Sequence, residues 1–251
     1  MGSAIYIIWY RNVLKYFRMK SRIIGSLGMP FFFLVIIGFG LDSAVSVPGG
    51  MTTSYVDFIA PGIIAMSILF SSMFSGVQLV IDKQIGFLKE TLVAPVSRME
   101  LMLGQALGGA TTAMIQGLLV FIISMFIGLD IPSFTGILIS LGFMFLIGLS
   151  FTSVGIAFAS RMEDTHGFQL IVNFVLFPVF FLSGALFPLD QIPQWLSFLT
   201  YIDPLTYGVE GIRYGMLGAS QIDPLVCFAA LGGFLVVVLF LGSYLFKRIR
   251  I

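Results

Sequence analysis

The sequence predicts an all-α membrane protein: six transmembrane helices, an N-terminal amphipathic interfacial helix, and short external re-entrant helices between spans five and six. Composition is the first reason. Hydrophobic residues make up 58% of the 251 and charged residues 10%, with a mean hydropathy of +1.05. A soluble domain keeps about a quarter of its residues charged so that its surface stays wet; a chain this apolar has lipid for a solvent. The second reason is six uncharged runs of about the 20 residues that cross a bilayer. The third is the placement of Lys and Arg, which gather on one side of those runs.

Residues 6–22 come first and read as an amphipathic helix lying on the membrane. Arg11, Lys15, Arg18 and Arg22 recur at spacings of four, three and four, within one narrow arc. Tyr6, Trp9, Val13 and Tyr16 take the opposite face, expected to rest in lipid while the cations meet headgroups or a partner. The spans follow as runs 23–41, 58–81, 101–129, 131–160, 167–189 and 224–246. Only Asp130 and Pro132 interrupt the third and fourth, which predicts a tight turn between antiparallel helices. No small-residue cleavage site follows the first run, so no cleavable signal peptide is expected.

Two connecting segments carry more information than the spans. In 82–100, residues Asp82 to Val93 have helical composition, with Ile85, Leu88 and Leu92 on one face. Pro95 disfavours helix at Ala94 and ends it. Ser97 and Glu100 then form a capping box that starts span three. A short helix, a rigid break and a new helix can pass a push from outside the membrane into a span. In 188–222, the stretch 191–202 is too short to span and is broken by Pro193. Asp203-Pro204 signals the N-cap and first position of another short helix, on which Glu210 and Arg213 can pair. With Trp195, Tyr201, Tyr207 and Tyr214, the segment reads as a lid over the external end of a pathway.

Charge orients the bundle. With the N-terminus inside, the cytoplasmic segments hold Arg11, Lys15, Arg18, Lys20, Arg22, Lys83, Lys89, Arg98, Arg161, Lys247, Arg248 and Arg250; of the 13 basic residues only Arg213 falls outside. Asp42, Asp57, Asp130, Asp190, Asp203, Glu210 and Asp223 lie externally. Both termini are therefore expected in the cytoplasm.

The chemistry missing from the chain narrows its function. No charged residue lies in the middle of a run, where ion-coupled transporters keep their coupling groups. The lone His166, beside Glu163 and Asp164, suits a helix end better than a catalytic base. Paired metal histidines, a nucleophile-elbow motif and a P-loop are all missing, and the single Cys227 excludes an internal disulfide or thiolate cluster. No catalytic or metal-binding residue and no bound cofactor is expected on this chain, so ATP, if used, would be bound by another polypeptide. Mild polar residues remain inside the spans. Ser67, Ser71, Ser75 and Gln78 share one face of span two, and Asn173 stands among Phe174, Phe177, Phe180 and Phe181 in span five. Helix packing or pathway lining would each account for them.

Several longer stretches carry a family resemblance. They are Ile24-Gly25-Ser26-Leu27 through Gly38-Phe39-Gly40-Leu41, Asp57-Phe58-Ile59-Ala60-Pro61-Gly62, and the loop from Gly86-Phe87-Leu88-Lys89-Glu90-Thr91-Leu92 to Ser97-Arg98. Leu182-Ser183-Gly184, Phe187-Pro188, Pro193, Trp195-Leu196 and Pro204-Leu205-Thr206-Tyr207 complete them. Nearly end to end the chain resembles the permease subunits of type-2 ABC exporters, in the daunorubicin-resistance-like branch. It departs from that branch at Lys83-Gln84, where Arg-Glu is usual, keeping the positive charge and dropping an acid.

The resemblance implies one transmembrane domain over 1–251, a permease that dimerises with a second copy or a paralogous permease. It implies two copies of an ABC ATPase subunit that carry ATP and Mg. Gly86, Phe87, Leu88, Glu90 and Leu92 become ATPase-coupling residues, with Arg11, Lys15 and Arg18 of the N-terminal helix beside them. Ser71, Ser75, Gln78, Asn173, Phe177 and Phe181 become substrate-pathway residues. The implied function is ATP-driven export across the plasma membrane of an amphipathic, drug-like or lipid-linked compound, with membrane lipid but no nucleic acid as a further partner. An ATP-independent channel and a lipid-modifying membrane enzyme are the alternatives.

Overall fold

A computed structural model describes residues 2–41, 54–87, 96–129 and 132–247. Helix α1 spans Gly2–Arg18, and α2 runs Lys20–Phe32 into a π-helical stretch Phe33–Phe39. The long helices α3 (Tyr55–Gln84), α4 (Arg98–Ile127), α5 (Phe134–Arg161) and α6 (Thr165–Leu182) follow. A 3₁₀ turn (Leu189–Gln191), α7 (Gln194–Ile202), α8 (Pro204–Leu217) and α9 (Pro224–Lys247) complete the described chain. Helices α3, α4, α5, α6 and α9 are long and apolar enough to cross a membrane, and the bent pair α1–α2 makes a sixth candidate if it is counted as one span. The π-helical turn follows Pro30, whose ring removes one hydrogen bond and crowds the preceding turn.

Local chemistry starts these helices as the sequence leads one to expect. The Ser97 hydroxyl accepts from the Glu100 amide while the Glu100 carboxylate accepts from the Ser97 amide, a complete capping box. Asp164 caps α6 through the amides of His166 and Gly167, bonds that hold its carboxyl below the usual carboxylate range. Asp203 caps α8 ahead of Pro204.

Helix α3 forms the axis of the bundle, packed against α4, α5, α6 and α8. Small residues set the distances. A Cβ on Gly76 would lie 2.6 Å from the Gly155 carbonyl oxygen of α5, and one on Gly155 would lie 2.7 Å from the Met73 carbonyl oxygen. Only glycine lets two backbones approach so closely. One end of the bundle gathers α1, the ends of α3, α5 and α9 and the start of α4: Lys83 reaches the last carbonyls of α5, and Ser243 donates to Met99 Sδ at 3.2 Å. The opposite end gathers the start of α3, the turn after α6, and α8. There the Tyr55 hydroxyl donates to the Leu186 carbonyl at 2.8 Å.

Three expectations need correction. The fifth run was expected to extend to residue 189, but α6 stops at Leu182. Ser183 turns back on Phe180 and Gly184 adopts φ +70, a conformation that favours glycine and ends the helix. The expected helix 6–22 breaks at Met19, so Lys20 and Arg22 belong to α2, and a 72° bend separates the two helices. Nor does the aromatic face of α1 rest in lipid. Trp9 Nε1 donates to Thr111 and the Tyr16 hydroxyl to Gln116, both on α4, because a buried indole or phenol needs a partner for its polar atom. Tyr6 alone of the two ends of that face stays well exposed.

The 188–222 segment divides into two unlike halves. Helix α7 exposes Trp195, Phe198, Tyr201 and Ile202, whereas α8 is not a lid laid over the bundle but part of its core. Gly208, Gly211 and Gly215 of α8 press on Ile147, Phe143 and Ser140 of α5. Glu210 and Arg213 are completely buried there and form an ion pair.

Candidate functional site

Helix α1, the foot of α3 and the loop that leaves it meet at one end of the bundle. Arg11 Nη2 donates to Asp82 Oδ2 at 2.7 Å, and Gln78 Nε2 donates to the other carboxylate oxygen at 2.7 Å. The Arg11 guanidinium also lies 4.5 Å from the centre of the Phe87 ring, a cation–π contact. Asp82 is nearly buried, so this cluster ties α1 to the last turn of α3 and to the loop that leaves it. Gly86, at φ +78, makes the reversal that brings Phe87 under Arg11. Arg11 therefore faces inward, while Lys15 and Arg18 are exposed. Leu88, Glu90 and Leu92 lie outside the described residues.

The loop is also joined to α5. Lys83 Nζ donates to the carbonyls of Ala159, Ser160 and Met162 at 2.7, 2.8 and 3.1 Å. These are the carbonyls that the end of a helix leaves without intrahelical partners, and a cation suits the negative end of the helix dipole. Gln84 Nε2 donates to the Glu163 carbonyl at 2.9 Å. These contacts fasten the end of α3 and the loop after it to the end of α5.

Two adjoining cavities run up the side of α3. The smaller, about 50 Å³, is lined by Asn12, Lys15, Ser71, Ser75, Gln78 and Gln105 among others. The larger, about 470 Å³, shares Tyr16 and Ser71 with it and continues between α2, α3 and α4 to Gln169 of α6. Ser71, Ser75 and Gln78 are therefore brought together as one polar wall. The fifth-span candidates are elsewhere: Phe177 is 39% and Phe181 51% exposed, they stack on each other, and Phe177 meets Phe70 of α3 edge-on at 5.6 Å. Asn173 is half-buried on the same helix.

Several site residues escaped the sequence reading. Asn12 donates to Gln105 at 2.5 Å, and Gln116 receives the hydroxyls of Tyr16 and Ser26. A signal for them existed: Gln105, Thr112 and Gln116 are polar positions inside an otherwise apolar run, at helical spacing. At the opposite end, Arg213 Nη2 donates to the Gly184 carbonyl at 2.9 Å and its guanidinium stacks 4.1 Å over Phe58. Glu210 Oε2 accepts from the Gln221 amide at 2.5 Å. The pair fastens the first turns of α3 to the turn after α6.

Long apolar helices around a buried axis, with a cavity along that axis and a cross-linked loop at one end, define a membrane-embedded helical bundle. The chain belongs to the ABC-2 type transporter family, whose model matches residues 3–217. It is 29% identical to the ycf38 protein of Cyanophora paradoxa over 98% of this chain and 89% of the relative. It is 28% identical to Nodulation protein J of Rhizobium leguminosarum bv. trifolii, over 98% and 94%. With the Inner membrane transport permease YadH of Escherichia coli strain K12 it shares 27% identity over 98% and 96% of the two chains.

Proposed function

We propose that this chain is the permease subunit of an ATP-driven exporter, moving an amphipathic, drug-like or lipid-linked compound from the cytoplasm or inner leaflet. ATP is bound and hydrolysed on a separate ATPase subunit, two copies of which serve a pair of permeases. The observation that carries this reading is the cross-linked loop. Arg11, Asp82 and Phe87 join α1 to the foot of α3, and Lys83 joins that foot to α5. A motor docking on Phe87 and the residues that follow it would act on the axial helix directly. Closure of the ATPase pair would then shift α3 and α5 as rigid bodies between inward- and outward-open packings.

The same end carries Arg11, Lys83, Arg98 and Arg161, which supports placing it and both termini in the cytoplasm. A second permease would cover the exposed row of α6, where Leu170, Phe174 and Phe181 stand out. Co-purification with an ABC ATPase, followed by measurement of ATP hydrolysis with and without this subunit, tests the proposal. Glu90→Arg is expected to abolish ATP-driven uptake into inverted vesicles while leaving expression intact. Wild-type uptake in that variant, or transport by the chain alone without ATP, would remove the reading.

A further inference from the structure

We infer that the larger cavity binds the polar head of an amphiphile, that this head is uncharged, and that Gln116 of α4 reads it. The inference rests on the transport reading above and adds the class of cargo. Gln116 is 1% exposed and lines the cavity, yet its amide is only half satisfied. Its carbonyl accepts from Tyr16 at 2.9 Å and from Ser26 at 3.0 Å, and Nε2 has no hydrogen-bond partner. Rotating the amide does not resolve this. The single Ser26 hydroxyl proton is also within reach of the Ile23 carbonyl, at 2.9 Å. With the proton there, a turned amide donates to the Ser26 and Tyr16 oxygens and leaves its own carbonyl open. In either orientation one polar atom of a buried side chain in the cavity wall is left without a partner, and a ligand toward which the side chain turned would remove that cost.

The rest of the lining fixes the ligand class. Ser26, Ser67, Ser71, Tyr16 and Gln169 supply hydroxyls and an amide, while Phe70, Phe74, Val77, Met29 and Met66 supply an apolar wall. None of the lining residues carries a formal charge. A phosphate or ammonium head would be desolvated there without a counter-ion, which is strongly unfavourable. A sugar or amide head exchanges its water for these neutral partners. The volume of about 470 Å³ is that of an ordinary ligand pocket. Lys15 does not change the sign, since the adjoining cavity it lines, about 50 Å³, has room for little more than water.

The test uses the full chain in nanodiscs and three photoreactive amphiphiles with one diazirine-bearing alkyl tail and a glucoside, phosphate or trimethylammonium head. A glucosyl diacylglycerol carrying the same tail distinguishes a membrane lipid from a free single-chain solute, and labelling by either glucoside supports the inference. Cross-links mapped by mass spectrometry are expected on Met29, Met66, Phe70 or Phe74, with the glucoside labelling at least about tenfold more than either charged probe. Gln116→Leu should cut glucoside labelling by about tenfold. Gln116→Glu keeps the shape and is expected to move the preference to the trimethylammonium probe, which a merely structural side chain would not do. Equal labelling by all heads, labelling confined to lipid-facing residues, or an unchanged preference in Gln116→Glu overturns the inference. This readout needs no ATPase, so the cavity can fail while ATPase dependence stands, and the reverse.

Discussion

In α3, 67% of the most apolar 18-residue window is buried inside the chain; in α6 the figure is 22%. Both helices are apolar enough to cross a membrane, and both carry a proline within the helix. The difference lies in their neighbours. Helix α3 offers glycine and serine where α4 and α5 approach, so its backbone packs closely against theirs, while one side borders the cavities. Helix α6 offers Leu170, Phe174 and Phe181 outward, and only Phe168, Val172, Leu176 and Phe180 turn inward. One is a buried axis, and the other presents an exposed aromatic face. Hydropathy does not separate them, because in a bilayer lipid and protein core are equally apolar neighbours.

The sharpest way to break this contrast is at the anchor of α3. Glu210→Ala leaves Arg213 buried and uncompensated, and is expected to cost about 3–5 kcal/mol. The check is thermal unfolding of the detergent-solubilised protein, in which the double variant Glu210→Gln, Arg213→Met should regain most of the loss. Next comes Gly76→Leu, which must push apart the α3 and α5 backbones and should cost at least about 1–3 kcal/mol by the same measurement. A variant as stable as the wild type would show that α3 is not held by close backbone contact.

Arg11→Ala leaves Asp82, whose side chain is 4% exposed, with Gln78 alone, and should cost about 1–3 kcal/mol. Its larger effect is expected on function, as a fall in permease-dependent ATP hydrolysis with assembly of the complex unchanged. The Asp203 carboxyl sharpens the contrast through pH. Burial pushes it up to about 8, from an ordinary value of 3.8. The folded state therefore holds an extra proton between about pH 4 and pH 8. Stability from this group is fullest below that window, declines as pH rises through it, and is level above it. Melting temperatures between pH 5 and pH 8 should fall more for the wild type than for Asp203→Asn, which retains the cap. Smallest of all is Phe174→Ala on α6, where Phe174 is 81% exposed. A change within about 0.5 kcal/mol is expected for the dissociated chain, and a larger one would mean that this face is covered within a single subunit.

The spans were legible because each rests on a local property. The Ser97–Glu100 capping box and the Asp203-Pro204 start act over a few residues and appear where the sequence places them, as do four of the uncharged runs, whereas the fifth run outlasts its helix. The polar face Ser71, Ser75 and Gln78 was legible for the same reason, being a helical repeat. Two readings failed together. The cation arc of α1 reads as an outward surface, but Arg11 turns inward to an aspartate 71 positions away. The pair on α8 falls in a segment that reads as an external lid, but it is buried in the bundle. Spacing along one helix says which residues share a face and nothing about what that face meets.

By itself, then, the sequence determined a membrane-embedded helical bundle and the starts of several of its helices, since the bilayer and the backbone act on any segment separately. Only the tertiary structure decided that α3 is the axis, that α8 is core, and that Gln116 borders a cavity. Those outcomes depend on which small residues let which backbones meet, and on buried polar atoms finding partners from distant parts of the chain.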